Sequence, residues 1–305
     1  MRKAFIQLHA AIFLAGFTGI LGRLIDLNEG FLLFYRLVIT VITLWVLYFF
    51  QKKIQAIPFK EMMKIFAVGF LAIMHWVTFY GSIKYSNISV ALVCFSSLGF
   101  FSAILEPLIF RKRIRPVELF LGLLTIAGIA IIFHFDPQYK KGIAIGIISA
   151  VLGCLFPIFN RQFLKNHSSE TVALYELTGG LLSLAFFLPF YLMLFPDGNY
   201  VPTLQDIGWL FVLSWFCTVL AFNLSMASLK KISAFTVNLS YNIEPVYGIT
   251  LAFIVYQENK FLSGQFYIGL ALIVSSVLLQ TFLVYKQGKP QPKSLERAQA
   301  ALPDM

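Results

Sequence analysis

The chain has 305 residues, 59% of them hydrophobic and only 12% charged, with 33 phenylalanines and a formal net charge of +10. Soluble globular domains are about a quarter charged, so this composition excludes one. The basic excess excludes nothing alone, because its placement along the chain decides its meaning.

Apolar runs fill the sequence from end to end. Their lengths predict ten membrane spans, at residues 4–25, 28–50, 62–84, 88–110, 117–134, 142–163, 170–195, 207–229, 233–256 and 263–285. A helix needs about 20 apolar residues to cross roughly 30 Å of hydrocarbon. Within lipid only helices or closed barrels satisfy every backbone polar group, and barrel strands would alternate over about 10 residues. The expected fold is therefore an all-α integral membrane protein. The first run follows Arg2 and Lys3 without a short apolar stretch and small-residue cleavage site, so it is read as a retained helix. The connectors are too short for an extramembrane domain, which puts function inside the bilayer.

Charge orients these spans. Of the 24 Lys and Arg, 18 fall on one set of alternate connectors and termini, five on the other, and Arg36 lies within a span. Basic residues collect on the cytoplasmic side. The expectation is a multi-pass protein of the cell inner (plasma) membrane with both termini cytoplasmic. The bilayer itself is then the partner of the basic side, through anionic lipid, and nucleic acid is not. Residues 286–305, rich in Pro, Gln, Lys and Ala, read as a disordered cytoplasmic tail. Cys94, Cys154 and Cys217 lie on separate spans and form neither a disulfide framework nor a metal site.

The chain also repeats itself. "SVALVCFSSLGFFSAILEPLIF" lies over "TVNLSYNIEPVYGITLAFIVYQ" at an offset of 147 residues, and "GSIK" (81–84) lies over "ASLK" (227–230) at 146. Nearer the start of each half, "FYRL" (34–37) faces "LYEL" (174–177), and Gly22–Arg23 faces Asn160–Arg161. Five spans per half is an odd number, so the second copy enters the membrane upside down. The division is residues 4–134 and 142–285. Inverted repeats are a transporter architecture, with binding near the midplane between the halves.

These residues resemble the drug/metabolite transporter superfamily, in its ten-helix EamA-type form. The resemblance rests on Arg36 in "FYRL" and on "SLKKISAFTVNLSYNIEPVYGITLAFIVYQEN", followed by a small-residue helix from Gly269. Glu244–Pro245 and Glu258 stand where the family has a proline in the ninth helix and an acidic residue at its end. The first half departs, with Leu98 for the proline and Arg111 for the acid. The resemblance implies a transporter: related members export amino acids or other metabolites, others move quite different solutes, and the motifs specify architecture far better than substrate.

Polar side chains inside spans are the candidate functional positions, since each costs about 2.5–3.5 kcal/mol at a helix centre. Arg36 is one, as a substrate contact or as a structural arginine. His75 and Trp76 lie at comparable depth on the third span. Tyr175 and Glu176 occupy the place of Tyr35 and Arg36 in the second half, and their opposite charge predicts an asymmetric cavity or an internal ion pair. Asn223 lies on the eighth span. On the ninth, Asn238, Tyr241 and Asn242 share a face at i, i+3 and i+4, just ahead of Glu244. Pro245 should kink that helix and free carbonyls. This cluster is read as lining the translocation cavity in preference to packing helices. Glu244 is the candidate coupling residue: desolvation disfavours a charged carboxylate near the midplane, so it can exchange a proton as the cavity opens to each side. Gly16, Gly19, Gly22, Gly122 and Gly128 should permit close helix approach.

No phosphate loop, metal-ligand set or convergent nucleophile is present in the sequence, so neither a cofactor nor catalysis is expected. The reading is a secondary active transporter that exports small metabolites by alternating access between two inverted repeats. Its rivals are an uptake permease of the same fold, a channel, a non-transporting membrane scaffold and a membrane-embedded enzyme.

Overall fold

The computed structural model describes residues 2–111, 113, 114, 116–135, 137–194, 196, 198–232, 234–241 and 243–287. Each predicted span has its helix. These are α1 (Arg2–Leu24), α2 (Glu29–Phe50), α3 (Phe59–Tyr85), α4 (Ile88–Phe110), α5 (Pro116–Phe135), α6 (Lys140–Phe163), α7 (Ser169–Leu194), α8 (Leu204–Leu229), α9 in two pieces (Ala234–Tyr241 and Glu244–Tyr256) and α10 (Gly264–Gln287). Seven are long and apolar enough to cross a membrane whole; α5, α9 and α10 contribute shorter apolar stretches among the described residues. Of the expected tail, residues 286 and 287 end α10, and the remainder lies outside the described residues.

Helices α2, α4 and α8 start at the end poor in Lys and Arg and are capped there by side chains. Asn28 accepts from Gly30 N at 3.0 Å ahead of α2, and Asn87 accepts from Val90 N at 2.8 Å ahead of α4. Thr203 and Asp206 form a reciprocal capping box on α8. Asp206 also accepts from Asp26 N at 3.0 Å, which ties the α1–α2 turn to the second half.

The inverted repeat is written into the packing. Helices α1 to α5 correspond to α6 to α10, and every principal contact has its exchanged partner: α3 on α6 mirrors α8 on α1, and α3 on α7 mirrors α8 on α2. The pairs α2–α7, α4–α9 and α5–α10 lie across the pseudo-twofold axis. Helix α4 is interrupted at Ser96–Ser97, and α9 is interrupted between Tyr241 and Glu244. Both second pieces end on a left-handed residue, Arg111 at φ 52° and Gln257 at φ 53°. These landmarks set the offset at 146 across α4 and α9, one residue short of the 147 taken from the letters, so Glu244 matches Leu98.

The two breaks have different chemistry. Pro245 sits in the first turn of the second α9 piece, where its missing N–H costs nothing. It begins a helix there, whereas the sequence suggested a kink within one. The α4 break needs no proline: Ser97 Oγ donates to Cys94 O at 2.6 Å and Ser96 Oγ to Leu92 O at 3.2 Å, serine back-bonding of the kind that bends helices.

Small residues set the tightest approaches. A Cβ on Gly69 of α3 would lie 2.0 Å from the Glu176 carbonyl oxygen of α7, and one on Gly128 would lie 2.6 Å from the Gly269 oxygen of α10. Gly22 and Gly122 are filled against the rings of Tyr80 and Phe100. Without a hydrophobic force between helices in lipid, such contacts hold the bundle by close packing.

Candidate functional site

A cavity of about 90 Å³ lies between the halves, walled by α1, α2, α3, α4, α6, α8 and α9. Arg36 enters it from α2 as one of the largest fully buried side chains, 1% exposed. The local fold explains how a guanidinium is tolerated there. Helix α8 widens into a π-helical stretch at Trp215–Leu220, a distortion common at functional sites. Within it Thr218 accepts from Arg36 Nε at 2.7 Å while donating to Leu213 O. Ser214 donates to the Arg36 carbonyl at 3.1 Å, Tyr80 OH lies 3.1 Å from the guanidinium, and the Trp76 ring lies beneath it at 4.2 Å. Neutral oxygens and an aromatic face therefore hold the charge, with no carboxylate within ion-pair distance among the described residues.

His75 lies one residue before Trp76 and stacks on Phe95, ring centres 5.2 Å apart. Its Nδ1 is 2.9 Å from both the carbonyl and hydroxyl oxygens of Ser149. A proton on Nδ1 donated to that carbonyl leaves Nε2 as an acceptor. Gly153 makes this possible, since a Cβ there would press on Nδ1 at 3.0 Å.

The opposite wall is α9. Asn238 donates to Ser102 Oγ at 3.1 Å and to Cys154 O at 3.2 Å, leaving its own buried oxygen without a partner. Tyr241 and Glu244 complete the wall. Glu244 is 6% exposed, and no hydrogen bond or ion pair meets its carboxyl among the described residues. The cavity thus carries a clamped guanidinium, an unmatched carboxyl and aromatic walls. Among the described residues the Asn238 oxygen is buried without a partner on this wall, a costly state for a polar group.

Six sequence candidates meet in this one cavity: Arg36, His75, Trp76, Asn238, Tyr241 and Glu244. Asn242 lies outside the described residues. Three are placed elsewhere. Tyr175 donates to Gln55 O at 3.1 Å and packs edge-on to Trp45. Asn223 bonds Tyr48 and donates to Val219 O at 2.7 Å. Glu176, wholly buried, accepts from Asn160 Nδ2 at 2.7 Å and forms no ion pair with Arg36. Of the two alternatives that the opposite charges suggested, the internal ion pair does not form between Arg36 and Glu176. Sequence reasoning missed Asn160, Thr218 and Ser225 on the wall or clamp. Asn160 follows Pro157 by three residues, one helical turn, and that spacing was its available signal.

A second, polar recess of about 290 Å³ opens at the basic-poor end, lined in part by Gly22, Arg23, Glu29, Tyr80 and Lys84. Tyr80 lines it and also bonds Arg36, so the phenol stands between recess and cavity. Beside it, Glu258 accepts from Arg23 at 2.7 Å, from Ile88 N at 3.2 Å, and from Ser89 N and Oγ at 2.9 and 2.6 Å. Arg23 also lies over the Tyr256 ring at 4.3 Å.

The model of the EamA-like transporter family matches residues 2–134 and again 140–282. The uncharacterized transporter YetK of Bacillus subtilis (strain 168) is 24% identical over 310 residues, spanning 96% of this chain and 91% of that protein. A protein of known crystal structure shares the fold at a TM-score of 0.67 and 18% identity, covering 95% of this chain and 100% of that one. With two copies of the family's unit filling its length, the chain belongs to the EamA-like transporter family and is a membrane transporter of small molecules.

Proposed function

We propose that the protein is a secondary active exporter of small zwitterionic metabolites, amino acids foremost, and that they bind in the cavity between Arg36 and Glu244. One observation carries this reading: a guanidinium and a carboxyl, not paired with each other, line the same aromatic-walled space. Arg36 takes the substrate carboxylate, for which its planar fork is suited, and Trp76 steadies the guanidinium from below. Glu244 takes the substrate ammonium, or a proton when the cavity is empty. Competition between the two at Glu244 couples outward movement of substrate to inward movement of protons. The small cavity, well below the roughly 300–1,000 Å³ of pockets for drug-sized ligands, favours a solute of amino-acid size or smaller.

The membrane is the inner (plasma) membrane and both termini are cytoplasmic, on the charge split between connectors. Alternating access exposes the cavity first to the basic side and then to the other, with Tyr80 and the Glu258 cluster among the contacts that must part.

Flux into and out of liposomes holding the purified protein, with a panel of labelled amino acids and an imposed pH difference, tests the proposal. Saturable, pH-driven movement of zwitterions is expected, lost in Arg36→Gln. In Glu244→Gln, pH-driven accumulation should disappear. Flux that does not saturate would indicate a channel, inward accumulation an uptake permease, and no flux of any solute a scaffold.

A further inference from the structure

We propose that Asn160 and Glu176 form a proton-binding site behind the cavity wall, with Glu176 carrying its proton in this conformation. The inference stands whatever the central cavity binds. Both side chains are wholly buried. Asn160 Nδ2 donates to Glu176 Oε2 at 2.7 Å, yet Asn160 Oδ1 and Glu176 Oε1 each lack a partner among the described residues. These orphans are the other oxygen of the amide and the other oxygen of the carboxyl. An ionised carboxylate only accepts, so it cannot serve the amide oxygen. A protonated one can: the hydrogen on Oε1, donated to Oδ1, closes a two-bond ring with the Nδ2 bond. One proton then satisfies both orphans, where two unmet acceptors in the membrane interior would each carry a desolvation cost.

No neighbouring charge offers Glu176 another way to be ionised. Helix α7 packs on α2, α3 and α8, and the titratable groups of those helices are engaged elsewhere. On α3, His75 bonds Ser149, Glu61 bonds His167, Tyr80 bonds Arg36, Lys84 pairs with Glu29 and the Tyr85 ring meets Lys141. Lys60 and Lys64 are exposed. On α2, Arg36 is held by Thr218, Tyr35 bonds Tyr200 O and Tyr48 bonds Asn223. On α8, Asp206 caps its own helix and Cys217 lines the cavity. Arg161, next to Asn160 on α6, donates to Lys230 O, and Glu170 on α7 pairs with Lys53.

Asn160 also lines the central cavity. A cavity ligand that draws the amide away removes both ring bonds and so changes how firmly the carboxyl holds its proton. The site is thus a second place where cavity occupancy and protonation are linked, separate from Glu244.

Infrared spectroscopy of the purified protein in detergent near neutral pH reads the proton directly. The expected result is a component of the protonated-carboxyl carbonyl signal that is lost in Glu176→Gln, is separate from any component lost in Glu244→Gln, and is moved in frequency in Asn160→Ala. A band that survives Glu176→Gln unchanged, with ionised-carboxylate signal lost instead, overturns the proposal. Should Glu176→Gln fail to fold, Asn160→Ala decides: a carbonyl band that stays at its wild-type frequency means Asn160 is not bonded to a protonated carboxyl, and the site is not as proposed.

Discussion

Arg36 and Glu176 occupy matching places in the two halves, yet one faces the cavity and the other is shut behind its wall. The difference lies in what the neighbouring helix presents. At Glu176 the approaching residue is Gly69, whose lack of a side chain lets α3 press its backbone against the Glu176 carbonyl. At Arg36 the matching residue is Ser214, whose hydroxyl bonds the Arg36 carbonyl at 3.1 Å instead. Ser214 stands 145 residues after Gly69, while Ala227 stands 146 after Gly81. The π-helical stretch between them absorbs the extra residue and delivers Thr218 to Arg36 Nε. One side of the pseudo-twofold is thus a dense contact, and the other is a polar clamp around a buried charge. An inverted repeat can acquire a binding site by loosening one copy and tightening its mate.

The two ends of the molecule differ as well. At the basic-poor end, Glu258 satisfies the first N–H groups of α4 and pairs with Arg23. At the basic end, the corresponding first-half stretch carries Arg111 and Arg113, Arg161 donates to the Lys230 carbonyl, and the described carboxylate pairs are Glu170 with Lys53 and Glu61 with His167.

The largest effect should come from making the halves alike. Gly69→Ser forces a side chain into a 2.0 Å gap against backbone; overpacking of this kind costs about 3 kcal/mol, read as a steep fall in melting temperature in detergent. Next is Glu258→Ala, which strands two buried N–H groups and should cost about 2–3 kcal/mol. Arg23→Ala removes the half-exposed partner of the same contact and should cost about 0–1 kcal/mol. Equal losses from these two would show that the ion pair, and not the capping of α4, holds the latch. The smallest effect is Gly208→Ala on exposed α8, where a Cβ meets nothing within 4 Å. It should stabilise by about 0.5–1 kcal/mol through helix propensity; destabilisation would mean that α8 packs on something more than its own bundle.

Much of this was legible in the letters. The spans follow from apolar length, and every helix end lies within three residues of its expected place. Asn238 and Tyr241 were visible because their i, i+3 spacing puts them on one face of the first α9 piece, and Glu244 because it is a carboxyl in an apolar run. Tyr175, Glu176 and Asn223 were not placed, because on an isolated polar residue nothing in the sequence says how a helix is rotated toward its neighbours. The α4 break was hidden for a related reason: two serines bonding their own helix do what a proline would have announced. Asn160 went unseen because its role is made by contact with a helix sixteen residues on.

The proposal that a zwitterion sits between Arg36 and Glu244 is tested most directly by trimming the substrate. Counterflow of the best-transported labelled amino acid into proteoliposomes would be competed by its amide and its N-acetyl derivative, each of which lacks one charge. Neither should compete in the wild type, while Arg36→Gln should lose its discrimination against the amide and Glu244→Gln its discrimination against the N-acetyl compound. Competition by both derivatives as strongly as by the parent amino acid, in the unaltered protein, would contradict the account.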